Sequence, residues 1–327
     1  MRAHFAPWRP AAALVAVMAD QSGLFTAEQA YAAGYTPDEI QRARSQGSVE
    51  SVRRGVYAVP EHYRALDETA RHCVDVRALL LRCDVPPTIS HESAAAAQGL
   101  PLLRPDLSRV HVTRPELRSS RVEAGAHHHP GALPATHVTL VDGVAVTEPA
   151  RTAVDLARSL EFANGLAAVD SALRADAAPE HLLDVLDFCR AWPGARAAGR
   201  AVSYADARAA NPGESWSRAV LIEAGLEPDE LQLEVRDAAG LVGYADFAWV
   251  QRRTLGEFDG RGKYGLGAPG TDPGDVLWAE KRREDRLRAL GWEVVRWTWA
   301  DLFVPERVAR RVRSAFQQAQ LRGLRGA

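Results

Sequence analysis

Lysine is almost missing from this chain of 327 residues: only Lys263 and Lys281 stand among its 40 basic residues, and the rest are arginine. Together with the abundance of alanine, this is the usage a GC-rich coding bias produces, and it makes the two lysines worth following. Cysteine is scarce as well. Cys73, Cys83 and Cys189 are far apart and odd in number, which excludes a disulfide scaffold and any CxxC zinc module and fits a reducing, cytoplasmic setting. No apolar run reaches the roughly 20 residues that a membrane helix needs. Arg2 and Arg9 before the apolar stretch Ala11–Ala19 loosely mimic a signal peptide, but a patterned domain follows at once and the stretch reads as a first helix. Excess charge is lacking too: 40 basic against 42 acidic residues leave a net charge of −2. A nucleic-acid site must therefore be a local patch.

What remains is ordinary globular composition, 46% apolar and 25% charged, enough for two or three domains. Residues 1–60 predict three short helices and a hairpin. Thr26 with Gln29, and Thr36 with Pro37 and Glu39, carry the side chains of helix-start capping boxes. Val49–Val59 alternates around Arg53-Arg54-Gly55, a hairpin with a basic tip. Three helices followed by a basic hairpin is the winged helix-turn-helix order, in which the third helix enters the major groove. Ile40 and Ala43 would face inward, leaving Gln41, Arg42 and Arg44 outward, with Arg53 and Arg54 at the wing. The plainer reading of the same residues is a small helical cap with solvated arginines.

Residues 61–200 predict a mixed α+β middle domain whose role stays open. Helices are expected over Tyr63–Leu81, His91–Gln98, Thr147–Leu160 and Phe162–Arg174, with strands at Val110–Thr113 and around the turn Asp142-Gly143. Arg151 and Asp155, four apart, read as a helix-surface pair. Six of the ten histidines fall between His91 and His137. Adjacent strand residues such as His127, His128 and His129 face opposite ways. Without cysteine partners or regular spacing, the run reads as an exposed polar strand or loop.

From residue 201 to 327 the pattern changes. A helix opens at Glu214, and strands follow at Leu231–Val235, Val242–Trp249 and Thr254–Asp259. After them come a Gly-rich loop with Lys263, a charged helix Val276–Leu290 whose Lys281 and Arg282 are candidate DNA contacts, and a strand Glu293–Thr298. A final helix from Pro305 would dock through Val308, Val312 and Phe316, with Arg307, Arg310, Arg311 and Arg313 off that stripe. Glu257 and Asp259 share a strand face, and Asp246 lies on the preceding strand. Several carboxylates at one sheet end repel unless a cation neutralises them. Oxygen ligands suit Mg²⁺ or Mn²⁺, which can activate water and stabilise a scissile phosphate.

The helix acid, Asp246 and then Glu257 resemble the PD-(D/E)xK nuclease core. Glu257-Phe258-Asp259-Gly260 and Gly291-Trp292-Glu293-Val294-Val295-Arg296 resemble the domain family related to very-short-patch-repair endonucleases. Gly23-Leu24-Phe25-Thr26 and Arg53-Arg54-Gly55-Val56-Tyr57 resemble the N-terminal domain of AbiEi-type antitoxins of type IV toxin–antitoxin systems. His91-Glu92-Ser93-Ala94 and Thr147-Glu148-Pro149-Ala150-Arg151-Thr152 look like chains of that group, and the combination resembles actinobacterial proteins carrying both ends. The resemblance implies a multidomain α/β protein: a winged helix-turn-helix, an α+β middle segment and a restriction-endonuclease-like α/β/α core. It implies metal ligands at Asp246, Glu257 and Asp259, a helix acid at Glu214, and a catalytic role for Lys263, because Asp259 occupies the usual lysine position. Two functions follow. One is a Mg²⁺- or Mn²⁺-dependent endonuclease hydrolysing DNA phosphodiesters. The alternative is an AbiEi-like antitoxin or autorepressor with a degenerate nuclease fold. Both have DNA as partner, the second also a cognate nucleotidyltransferase-type toxin, and neither involves a membrane.

Overall fold

A computed structural model describes residues 8–260 and 273–326, with side chains over 8–260 and 278–324. The fold is mixed α/β, with three sheets and fourteen α-helices among the described residues. It divides into two compact units. One comprises the chain up to Leu100 with Arg104–Asp155, the other Pro101–Leu103 with everything from Leu156. This division falls inside the segment read as a middle domain.

The first unit begins with α1 (Ala12–Asp20), β1 (Leu24–Thr26), α2 (Ala27–Ala32), α3 (Pro37–Ser45) and the hairpin β2 (Glu50–Arg53) and β3 (Val56–Ala58). Both capping boxes form: Thr26 Oγ1 accepts from Gln29 N and Thr36 Oγ1 from Glu39 N, with each acid or amide side chain reaching back. β1 was not expected. Its three residues are all buried, too few to show alternation, and it joins β3 to give the sheet order β1-β3-β2. Leu14, Met18, Phe25, Ala30, Ile40, Ala43 and Val49 form the core beneath.

The expected helix Tyr63–Leu81 is two, α4 (Pro60–Ala65) and α5 (Glu68–Leu80). Asp67 accepts from Ala70 N at 2.8 Å and caps the second, which a periodicity argument passes over. The rest of the unit is β4 (Thr88–Ile89), α6 (His91–Ala97), β5 (Val110–Thr113), β6 (Arg121–Glu123), β7 (Ala126–His129), β8 (Val138–Val141) and β9 (Val144–Thr147), followed by α7 (Pro149–Ser159), within which the units divide. The sheet runs β6-β7-β5-β4-β9-β8. β5 and β7 are parallel, with His111 opposite His127 and Thr113 opposite His129.

The second unit holds α8 (Phe162–Arg174), α9 (Pro179–Phe188), α10 (Ala195–Tyr204) and α11 (Pro212–Glu223). It continues with β10 (Glu230–Asp237), β11 (Gly240–Trp249), β12 (Thr254–Asp259), α12 (Pro273–Ala289), β13 (Glu293–Thr298), α13 (Trp299–Leu302) and α14 (Pro305–Gly326). Its sheet is β10-β11-β12-β13; the first three strands are antiparallel, and β13 runs parallel to β12. Alternation gives this sheet two buried faces. Phe247, Trp249, Phe258 and Trp297 pack with Val220 and Leu221 of α11 and with Val308 and Val312 of α14. Ala248 and Leu255, on the other face, pack with Leu287 of α12 and with Trp292.

Arg151 and Asp155 are a buried pair, not a surface one. Their side chains are 1% and 2% exposed and meet at 2.7 Å. Arg151 Nη1 also donates to Ala132 O at 3.2 Å and faces His137 Nδ1 at 3.0 Å, so that nitrogen of His137 is the acceptor. Removing one partner of such a pair strands a charge, a loss of about 3–5 kcal/mol. Arg151→Met is expected to lower unfolding free energy by about that much in urea titrations, and Arg151→Met with Asp155→Leu to recover most of it. A single variant as stable as the wild type would show that water reaches the pair.

Candidate functional site

α3 presents the candidate nucleic-acid surface. Ile40 and Ala43 are buried, and Gln41, Arg42, Arg44 and Ser45 are exposed. The helix carries Asp38 and Glu39 in its first turn and Arg42 and Arg44 in its last, a distribution that suits its dipole and gathers the cations at one end. Arg44 donates to Gln41 Oε1 at 3.0 Å and stands 5.8 Å from the Tyr57 ring on the hairpin. The two hairpin arginines part company. Arg54 is exposed at the turn. Arg53 is half-buried and donates to Ala124 O at 2.5 Å; burial lowers its pKa, with Asp75 opposing. That contact with Ala124 O clamps the hairpin to the β6–β7 turn. The competing residue lies 71 positions away, and nothing local announces it.

The acids of the second unit gather around one end of its sheet, but protein groups already hold them. Gly213 opens the way: a Cβ there would stand 2.2 Å from the Phe258 ring, so only glycine lets α11 begin this close to β12. Glu214 follows, buried, and accepts from Ala210 N at 2.7 Å and Asn211 Nδ2 at 2.6 Å. Gln232, in a left-handed conformation at φ +52°, sets its amide nitrogen 3.1 Å from Glu214 and 3.3 Å from Asp246. Asp246 Oδ2 accepts the Phe258 N–H at 2.8 Å. Burial, then the neighbouring Asp246 charge, raise Glu214 to about 7.

Glu257 is the decisive residue. Arg283 of α12 lies 2.6 Å from Oε1 and Arg296 of β13 2.7 Å from Oε2. Although burial pushes its pKa up, these two guanidinium groups hold it below the usual carboxylate range. Arg296 also meets Glu280 and Glu284, each at 2.7 Å. Asp259 leaves Oδ1 buried with no hydrogen bond among the described residues. Lys263 lies outside the described residues. Lys281 and Arg282 are exposed on α12, Lys281 near the Trp278 ring. Oε2 accepts from Arg296, while Oε1 is ion-paired with Arg283 and takes no hydrogen bond among the described residues. With two guanidinium groups already neutralising Glu257, the donor set as it stands does not call for Mg²⁺ or Mn²⁺. The arginines were missed as its neutralisers because Arg296 reaches Glu257 only through the parallel register. Nor do the α14 arginines all face solvent: Arg307 and Arg311 pair with Asp301, and Arg313 donates to Ala224 O.

The histidines of the first unit are neither dispersed nor merely polar surface. His91, His111 and His129 bring one ring nitrogen each to within 4.8 Å of one another. Adjacent strand residues do face apart, but His127 and His129 are two apart, and the parallel β5 sets His111 on the same face. His128 points the other way and is held by Arg114 at 3.2 Å.

Two family models match the chain. Residues 13–60 match one described as "Transcriptional regulator, AbiEi antitoxin", and residues 88–200 match "AbiEi antitoxin C-terminal domain". Both AbiEi antitoxin domains are therefore present, in that order, and neither match extends past residue 200. Two Mycobacterium tuberculosis proteins are each 32% identical over 185 residues: "Uncharacterized protein MT2308" of strain CDC 1551 / Oshkosh and "Uncharacterized protein Rv2248" of strain ATCC 25618 / H37Rv. The aligned region is 56% of this chain and 66% of theirs, so the chain spans just under two thirds of the length of these relatives. The crystal structure of the RV2827C protein from Mycobacterium tuberculosis aligns at 17% identity and TM-score 0.40, covering 69% of this chain and 87% of that one.

The raised pKa of Glu214 has a definite sign. Between the ordinary value of 4.5 and about 7 the folded state holds a proton that the unfolded state has lost, so stability falls as pH rises through that window. The loss is on the order of 3 kcal/mol. Glu214→Gln is expected to flatten the fall in unfolding free energy between about pH 5 and 8 relative to wild type. Identical pH profiles for the two proteins would show that Glu214 is ionised throughout.

Proposed function

We propose that this chain is a DNA-binding transcriptional regulator of the AbiEi antitoxin kind, whose second unit has a nuclease-like but non-catalytic fold. The observation that carries the reading is α3, with Gln41, Arg42 and Arg44 in solvent over a buried Ile40 and Ala43, inside the segment that matches the regulator model. In a winged helix of this order, α3 enters the major groove and Arg54 at the hairpin tip meets the backbone. Arg42 and Arg44 supply phosphate contacts, while Gln41 is the side chain suited to a base edge. AbiEi antitoxins bind DNA and a cognate toxin, and a nucleotidyltransferase-type toxin is the protein partner this reading expects. No described helix is long and apolar enough to cross a membrane.

The enzyme reading has one favourable feature: a helix, three antiparallel strands, a helix and a parallel fourth strand, with Asp246, Glu257 and Asp259 near one end. Against it stands the double arginine clamp on Glu257. A carboxylate neutralised by guanidinium groups has no need of a dication. The charge balance therefore favours a retained scaffold.

The decisive measurement is binding to the DNA upstream of the chain's own coding sequence, followed by anisotropy at several salt concentrations. Each phosphate contact contributes about 0.9 to the logarithmic salt slope. Arg42→Ala with Arg44→Ala is expected to flatten the slope by about two units, whereas Arg53→Ala should leave it unchanged and lower stability. No binding to that DNA, or a slope untouched by the double variant, would overturn the assignment of α3.

For the second unit, Mg²⁺ and Mn²⁺ are expected neither to raise the melting temperature nor to support plasmid nicking. Nicking that requires either ion and is lost in Glu257→Gln would restore the endonuclease.

A further inference from the structure

We infer that His91, His111 and His129, with Glu92 beside them, form a binding site for a transition-metal dication of the Zn²⁺ class. The three imidazoles come from three elements that the sheet holds in fixed register. His91 follows β4, where Ser90 N donates to His111 O at 3.0 Å. His111 lies on β5, and His129 ends β7 on the same face. Their ligand nitrogens are within 4.8 Å of one another, and His129 Nε2 stands 3.1 Å from His111 Nδ1. Nitrogens on one tetrahedral zinc ion, at about 2.0–2.1 Å from the metal, are about 3.4 Å apart. Small rotations about the side-chain torsions close the remaining difference.

A second observation points into the same space. Glu92 is 5% exposed, and its Oε2 receives no hydrogen bond among the described residues. That oxygen lies 3.1 Å from His111 Nδ1, the atom that also faces His129 Nε2. One proton on Nδ1 can serve only one of these two contacts well. A carboxylate oxygen and two ring nitrogens thus converge with too few donors between them. A cation resolves the deficit at once, whereas buried polar atoms left in this state are costly.

The surroundings suit that role. Ser90 Oγ bonds His91 Nδ1 at 3.0 Å, the kind of outer contact that orients a ligating imidazole. His91 itself is held at φ +51°, a strained backbone for a side chain with a Cβ; such strain concentrates at functional positions. Imidazole with one carboxylate is the donor set of zinc and its borderline neighbours, not of Mg²⁺.

The test uses the full-length chain stripped with a chelator, without DNA, so that it stands apart from the regulator assignment. Zn²⁺ titrated by calorimetry is expected to bind at one equivalent per chain and to raise the melting temperature, with Mg²⁺ doing neither. Co²⁺ is expected to give the visible absorption of a low-symmetry site with nitrogen and oxygen ligands. His111→Gln and His129→Gln should each weaken Zn²⁺ binding by about a hundredfold or more. His128→Gln, on the same strand but facing away, should bind as wild type does. Circular dichroism checks that each variant folds; if either of the first two does not, His91→Gln takes its place with the same expected loss. The inference is overturned if the wild-type chain shows no saturable Zn²⁺ binding, or if folded variants lacking these histidines bind Zn²⁺ as tightly as His128→Gln.

Discussion

The clamp on Glu257 is the constraint around which the second unit is arranged. A buried carboxylate must be neutralised, and here Arg283 and Arg296 do it, one from α12 and one from β13. The consequence spreads outward. Arg296 is shared with Glu280 and Glu284, so α12 is tied to β13 by alternating charges as well as by Leu287 against the sheet. The parallel pairing of β12 and β13 puts Glu257 opposite Arg296, and the same pairing puts Phe258 opposite Trp297 on the other face. Charge pairing and apolar packing thus specify one register together. A one-residue slip would turn Glu257 toward the tryptophan core and Phe258 toward the arginines.

The first unit solves the same electrostatic problem once and leaves it open once. Around Arg151 donors and acceptors balance: Asp155, Ala132 O and His137 Nδ1 all receive the guanidinium. Around His111 they do not, because Glu92, His129 and His111 itself bring acceptors together without an equal supply of protons. The contrast makes the histidine cluster stand out physically. Imidazole pairs are common, but a buried carboxylate added to them changes the balance.

The legible parts of this fold were those encoded within a few residues. Thr26 with Gln29 and Thr36 with Glu39 start helices where their spacing says, and the Asp142-Gly143 turn closes the β8–β9 hairpin. The acid positions Glu214, Asp246 and Glu257 could be read as neighbours from strand order alone. What escaped was set by distant partners. β1 is a strand only because β3 is beside it. Arg53 is a clamp only because Ala124 O is there. Arg151 and Asp155 show the same four-residue spacing whether buried or exposed. The histidines looked scattered because His-His-His does alternate; the parallel neighbour that brings His111 to the same face is separated from them by a whole strand and its turns.

One consequence concerns how a chain with so little lysine divides its cations. All but two of its 40 basic residues are arginine, so side-chain type cannot separate structural cations from those offered to a partner. Environment does. Arg53, Arg151, Arg218, Arg283 and Arg296 all have fixed acceptors in the protein, and a planar guanidinium loses little by staying in such a fork. Arg42 and Arg54 are exposed on the helix and the hairpin tip, and Arg44 donates to a neighbouring amide and lies over the Tyr57 ring. With a net charge of −2 the molecule has no long-range pull on DNA. In the regulator proposed above, attraction would come from exposed arginines such as Arg42 and Arg54 acting within about a Debye length, 8–10 Å at ordinary salt. That geometry favours a regulator that engages a defined site over one held by a general electrostatic field.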